Sequence, residues 1–265
     1  MKTAAILTAA ALMTAAPGVA ASDPVGRIQH YTRSNSDGSE AEYISIFRAS
    51  PTTVAVYKMR ERCTNAALVT AELDLERDRV VTLVGGRVTR DGTQQAFAWL
   101  VHDADANTLT VSLEGPGGSP LETTSLSGDA PWRLFDFDFA DWNALTDAPM
   151  HGQDIIVDMA LIWPEPAEDG RVLRALGPAV ARFVGPEAHN GVATVRYRME
   201  GQAFAGEMGG DLWLDAEDGT VVEARFGRPS HPGYTDFRLV LTGEARGEAA
   251  WQALLADHWT GCPPA

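Results

Sequence analysis

Side chains that alternate apolar and polar with period two dominate this chain. "EYISIFRA" (42–49) and "TTVAVYKM" (52–59) are two such runs around a Ser-Pro break, the pattern of a hairpin. "RVVTLVGGRVTRDG" runs into a turn at Asp91-Gly92, and "TQQAFAWLVHD" returns from it. The alternation predicts Phe97, Trp99 and Val101 on one face of that strand, with Ala96, Ala98 and Leu100 on the other. "ADAN" then leads into "TLTVSLEG", and a Gly/Pro/Ser-rich loop follows at 115–120. Further strands are "QDIIVDMALIW" (153–163), "ATVRYRME" (193–200), "GDLWLDAE", "TVVEARFG" and "DFRLVLTG". Strand upon strand with short turns predicts an antiparallel meander. One segment changes period: "GEAAWQALLADHWTGC" puts Trp251, Leu254, Leu255 and Trp259 at helical spacing, with Gly261 as a stop. The run at 168–183 fits neither period.

"LFDFDFADW" (134–142) sets three aspartates among four aromatic rings. With period two, Phe135, Phe137 and Phe139 face inward while Asp136 and Asp138 face water. With period 3.6, Phe135, Phe139 and Trp142 form a stripe, and Asp138 or Asp141 caps a helix or stays exposed. An Asp-x-Asp pair can also serve phosphoryl transfer, but that chemistry needs a parallel α/β setting, a lysine and further acids. Here the pair lies midway along an all-β pattern, and Lys58 is the sole lysine after Lys2. "VHDADANTLTV" (101–111) and "WLDAEDGTVVE" (213–223) resemble each other, aligning Asp103 with Asp215 and Thr108 with Thr220. An internal repeat would explain that likeness, but two ordinary acidic hairpins explain it more simply, since tight turns use these residues.

The amino terminus reads as an export signal. Lys2 is followed by "AAILTAAALMTAA", and "PGVAAS" offers small residues for cleavage after Ala21. The expectation is a mature chain, 22–265, in the periplasm of a bacterium. No stretch approaches the ~18 uninterrupted apolar residues of a membrane-spanning helix. The formal charge is −15, and removing Lys2 makes it more negative, which disfavours nucleic acid as a partner. Cys63 and Cys262 are the only cysteines. In an oxidising compartment a lone pair is expected to bond, and closing a loop of about 200 residues is worth at most roughly 5 kcal/mol. Such a bond ties the C-terminal segment to an early strand and favours a single domain.

Motifs for catalysis do not emerge. The six histidines, at 30, 102, 151, 189, 231 and 258, lack zinc-binding spacing. Neither a Gly-x-Ser-x-Gly elbow nor a phosphate-binding or dinucleotide glycine loop is present, so no cofactor or metal is expected. The seven tryptophans are the less ordinary feature. Large rings serve first as core packing, and alternatively as the lining of an apolar cavity.

"GGDLWLDAEDGTVVEARFGRPS" resembles the strand–turn–strand of periplasmic lipoprotein carriers of the LolA/LolB type and related exported proteins. "PWRLFDFDFADWNAL" is similar to their short covering helix, and "HGQDIIVDMALIW" to the strand after it. The resemblance implies a large, strongly curved antiparallel sheet, or half-barrel, with a few helices covering its concave side. The chain is longer than those carriers and has its own cysteine pair. The expectation is therefore a mainly β (α+β) single domain that acts, without catalysis, as a binding or carrier protein for a lipophilic or envelope-derived ligand. Phe97, Trp99, Trp163 and Trp213 are its candidate lining. An envelope scaffold with a solid core, acting through a protein partner, and a hydrolase with an unrecognised carboxylate pair are the alternatives.

Overall fold

A computed structural model describes residues 24–145, 152–163, 170–206 and 209–264; the expected export signal lies outside these residues. The first half is an unbroken meander of eight strands: β1 (Arg27–Ser34), β2 (Glu42–Arg48), β3 (Thr53–Met59), β4 (Ala67–Asp74), β5 (Arg79–Val88), β6 (Gln94–Asp103), β7 (Thr108–Ser112) and β8 (Pro120–Ser125). A short β9 (Trp132–Leu134) pairs in parallel with β10 (Ile155–Ile162). The chain then returns through β11 (Leu173–His189), β12 (Val192–Gly201), β13 (Gly210–Asp215), β14 (Val221–Phe226) and β15 (Phe237–Arg246), and β15 pairs with β1. All fifteen strands belong to one sheet, ordered from β8 through β1 to β15 and on to β9, and every pair except β9–β10 is antiparallel.

That order forces the sheet to curl. Laid flat, fifteen strands spaced ~4.8 Å apart would separate the edges by roughly 65–70 Å. Yet the edge strands β8 and β9 are joined only by residues 126–131, a link whose reach is about 25 Å. The edges therefore approach one another. Glu122 of β8 reaches across to the start of β11: its carboxylate accepts hydrogen bonds from the backbone N–H of Val172 at 2.8 Å and Leu173 at 3.1 Å, and from Arg171 at 2.9 Å. An exposed edge is thus answered by a carboxylate rather than by another strand, so the sheet stays open but nearly encircles its core.

The concave side is filled by the segment after β9. It makes a 3-10 turn (Phe135–Phe137), two left-handed residues, Asp138 and Phe139 (φ 53° and 61°), and a short helix α1 (Ala140–Leu145). The single covering helix expected over this stretch is replaced because left-handed residues interrupt helical hydrogen bonding there. Phe135 and Phe139 meet Phe204, Phe226 and Phe237 with ring centroids 5.2–6.4 Å apart. Each such ring pair adds about 0.5–1.5 kcal/mol beyond its burial. At the far end of the filling, Asn143 donates to the Tyr31 hydroxyl (2.9 Å) and accepts from the Val221 N–H (2.8 Å).

The convex side carries a second, smaller core. Helix α2 (Glu248–Asp257) lays Trp251 and Leu255 on Ile28, Phe47, Tyr57, Leu68 and Val88, with Trp251 stacked on Phe47 at 5.1 Å. Helical spacing in 248–259 thus predicts the buried face correctly. The Cys63–Cys262 bond is formed and holds the end of this helix to the β3–β4 loop. Tyr57 and His258 reinforce that junction with a 2.7 Å hydrogen bond. Of the run at 168–183, indeterminate by periodicity, residues 173–183 belong to the long strand β11. A Cys63→Ser, Cys262→Ser double variant should lose about 2–4 kcal/mol of unfolding free energy. Urea denaturation under oxidising conditions checks this, and an unchanged midpoint would refute the stapling role.

Candidate ligand cavity and its ionic threshold

Cross-strand register decides which side chains meet on the concave face. Lys58 on β3 stands opposite Ile44 and Ala67; Ala67 stands opposite Arg87, and Arg87 opposite Gln95. Since Val54 and Val56 of β3 belong to the inner core, the pleat also turns Lys58 inward. Two adjoining spaces result at this end of β2–β6. An open mouth of about 620 Å³ is bordered by Glu42, Lys58, Ala67, Arg87, Gln95 and Phe97. A smaller, more enclosed pocket of about 160 Å³ is bordered by Val69, Leu83, Leu100, Val111, Phe137, Ile162 and Asp136. Lys58 and Phe97 border both spaces.

Phe97 reaches that position through a β-bulge. Gly85 pairs with Ala98 and Gly86 with Ala96, so Phe97 is the extra residue with no partner on β5. Bulges re-aim a side chain in this way, and 55% of Phe97 remains exposed. Glycine is required opposite: a Cβ on Gly86 would lie 2.8 Å from the Gln95 carbonyl oxygen and 2.7 Å from the Gln94 side chain. The pleat beyond the bulge turns Leu100 into the core, so Trp99 borders the inner pocket mainly along its backbone.

Beneath the mouth lies a buried ionic cluster. Asp138, fully buried, is 2.5 Å from the Lys58 ammonium and 3.0 Å from the Arg33 guanidinium. Lys58 also donates to the Asp136 carbonyl oxygen at 2.5 Å. Arg33 continues to Glu42 and to the His231 ring, and its guanidinium lies over the Tyr234 ring at 5.0 Å. Burial pushes the Asp138 carboxyl upward, but the Arg33 and Lys58 charges outweigh it and hold the group below the usual range. His231 is held well below the ordinary histidine range by burial and then by Arg33 and Lys58. It therefore stands neutral beside Arg33 and accepts its N–H.

The other aspartates of this segment differ. Asp136 has a backbone donor, Ile162 N–H at 3.2 Å, and burial pushes its carboxyl up to about 6. Asp141 accepts from the Leu134 and Trp142 N–H groups at 2.7 and 2.9 Å, and burial again pushes it to about 6. The period-two expectation placed Asp136 and Asp138 in water, and period 3.6 left Asp138 or Asp141 capping or exposed. Asp138 and Asp141 are instead buried, because Arg33 and Lys58 project into the core to meet the one and the backbone of 134–142 folds around the other. The inward placement of Phe135, Phe137 and Phe139 stands.

Of the four aromatic candidates, Phe97 and Trp99 border the inner pocket, and Trp163 is half-buried against the main core next to Ile162. Trp213 lies elsewhere. It faces outward between Leu212 and Leu214, stacks on His189 at 4.0 Å and is flanked by the guanidiniums of Arg196 and Arg225. Next to it, the fully buried Glu223 accepts from His189 and Asn190 at 2.8 Å and from Arg238 at 2.9 Å. Burial raises the Glu223 carboxyl, but these bonds, led by Arg238, overcome it and depress the group to about 2. Lys58, Arg87 and Asp136 were not foreseen as site residues. Lys58 carried a signal, because an isolated lysine inside an otherwise apolar strand pattern must find a partner.

No known protein family matches the chain, and no curated protein matches it. Among the described residues, no group of three or more His, Cys, Asp or Glu side chains is placed to hold a metal ion.

The aspartates make opposite predictions. Asp138→Asn removes the counter-charge of two buried cations and should destabilise the fold by about 3–5 kcal/mol. Asp136→Asn should be neutral or stabilising at pH 8, where the native carboxylate is ionised against its environment. The sign follows from linkage. A raised carboxyl costs stability when ionised, and the cost is relieved as pH falls from above about 6 towards the ordinary value near ~3.9. The depressed Asp138 and Glu223 contribute stability above the ordinary carboxyl range and lose it as pH falls through their folded values, about 2 for Glu223. Thermal melts of both variants between pH 3 and 8 check this; equal losses at pH 8 would contradict it.

Proposed function

We propose that this protein is a non-enzymatic binding or carrier protein of an extracytoplasmic compartment, and that its lipophilic ligand enters the cavity bordered by Lys58 and Phe97. One observation carries the reading: residues 132–145 fill the interior of the sheet and pack on β3 and β5 too, but leave space at the end of β3–β6 that Lys58 and Phe97 border. There an apolar pocket opens into a wider polar mouth. Apolar walls with a few convergent polar groups are the usual make-up of a small-molecule site. The Cys63–Cys262 bond supports an oxidising setting. The resemblance to lipoprotein carriers is in keeping with an acyl-like tail.

The alternative of an envelope scaffold draws on the phenylalanine cluster, which makes most of the interior solid. A hydrolase draws less support: Asp136 borders the pocket, while Asp138 is engaged by Lys58 and Arg33.

Native mass spectrometry of protein purified from a bacterial periplasm, followed by organic extraction, tests the proposal. A reproducible adduct released on denaturation is expected. Phe97→Ala should diminish the adduct by several-fold while shifting stability by only ~0.5 kcal/mol, as an exposed site allows. A bare polypeptide mass in every preparation would turn the assignment to the scaffold.

A further inference from the structure

Arg87 stands on the mouth beside Gln95, and its Nε donates to the Gln95 side-chain oxygen at 2.8 Å. That bond orients the Gln95 amide so that its NH2 remains a donor. Among the described residues no carboxylate pairs with Arg87. This is notable in a chain with 36 acidic and 21 basic side chains. The mouth's one acid, Glu42, is engaged by Arg33. Lys58 has three N–H donors and uses two of them, on the Asp136 carbonyl and the Asp138 carboxylate. Below the mouth, Arg33 and Lys58 face Glu42 and Asp138, and Asp136, whose carboxyl is raised to about 6, lies on the inner pocket. Among the described residues bordering the mouth itself, Arg87 is the cation without a carboxylate partner.

We propose that the cavity is selective for an amphipathic anion, whose carboxylate or phosphate head sits in the mouth on Arg87, Gln95 and the third N–H of Lys58, with its tail between Phe97, Leu100 and Phe137. This rests on the binding-protein reading and adds a ligand class to it. Guanidinium groups suit planar oxyanions because two N–H donors can address one head. The tail pocket, at 160 Å³, holds about five groups of water-like volume, taking ~30 Å³ for each. A chain of medium length, or the end of a longer one, fits that space. Asp136 borders the tail pocket and not the mouth, so its carboxyl meets the apolar part of the ligand.

The test uses three probes that share an eight-carbon chain and differ in head group: octanoate, octyltrimethylammonium and octyl glucoside. Each is titrated calorimetrically into protein stripped of co-purified lipid. Octanoate should bind at least tenfold more tightly than the other two. Arg87→Gln, on the exposed rim, should weaken octanoate three- to tenfold and leave octyl glucoside unchanged. Equal affinities for all three heads, or an Arg87→Gln variant that binds octanoate as the native protein does, would overturn the anion preference and leave the cavity reading standing. No measurable binding of any probe would overturn the cavity reading, and this proposal with it.

Discussion

A carboxylate buried between two cations organises this molecule. Asp138 sits at the junction of a 3-10 turn and a short helix, in a left-handed conformation that an ordinary residue adopts only at a cost. Its ion pairs with Arg33 of β1 and Lys58 of β3 hold that junction against the sheet. Without a countercharge each of the three groups would be costly inside the core. The segment that carries Asp138 also carries Phe135, Phe139 and Trp142, so fixing one residue sets the position of the aromatic filling. The desolvated cluster is best understood as a device for placing this filling in one register.

The placement has a consequence for function. The sheet must nearly encircle its contents, since its edges are consecutive in sequence and joined by a short link. What it encloses is then decided by the filling, which sets its rings against Phe204, Phe226 and Phe237, packs on β3 and β5, and leaves room at the Lys58–Phe97 end of β3–β6. At that boundary a bulge in β6 turns Phe97 towards the opening, and the partner strand accepts it only because residue 86 is glycine. The opening is apolar where Leu83, Leu100 and Val111 line it and polar where Lys58, Arg87 and Gln95 do. A gradient from apolar to cationic within one cavity suits a ligand with two chemically different ends.

Much of this fold was legible in the sequence. Period-two alternation located most of the strands, because each buries one face and wets the other. The C-terminal helix and the disulfide were legible too: one has a helical stripe ending in tryptophan, and the other involves the only two cysteines. The run at 134–142 resisted reading because alternation assigns Asp136 and Asp138 to water. Only the distant Arg33 and Lys58, more than seventy positions away, explain why Asp138 turns inward, while the local backbone takes up Asp141. The β1 strand mixes buried charge with apolar residues for the same reason and shows no clean alternation. Among site residues, Phe97 could be proposed from ring size alone, whereas Trp99 meets the pocket mainly along its backbone. Arg87 could not, since its role depends on lacking a carboxylate neighbour, which is a property of the folded surface. Trp213 looks the same in sequence yet packs on the outer face with His189.

The most direct test of this account exploits Lys58 being the sole lysine after Lys2. In protein beginning after the expected export signal and labelled with nitrogen-15 lysine, the side-chain ammonium gives a single signal. If Lys58 is buried on Asp138, its protons are shielded from solvent and the signal is visible at neutral pH and room temperature, as an exposed ammonium's is not. Loss of the signal in a folded Asp138→Asn variant would complete the assignment. An absent signal in the native protein, with the rapid exchange of a free surface lysine, would contradict the ion pair on which the filling and the cavity both depend.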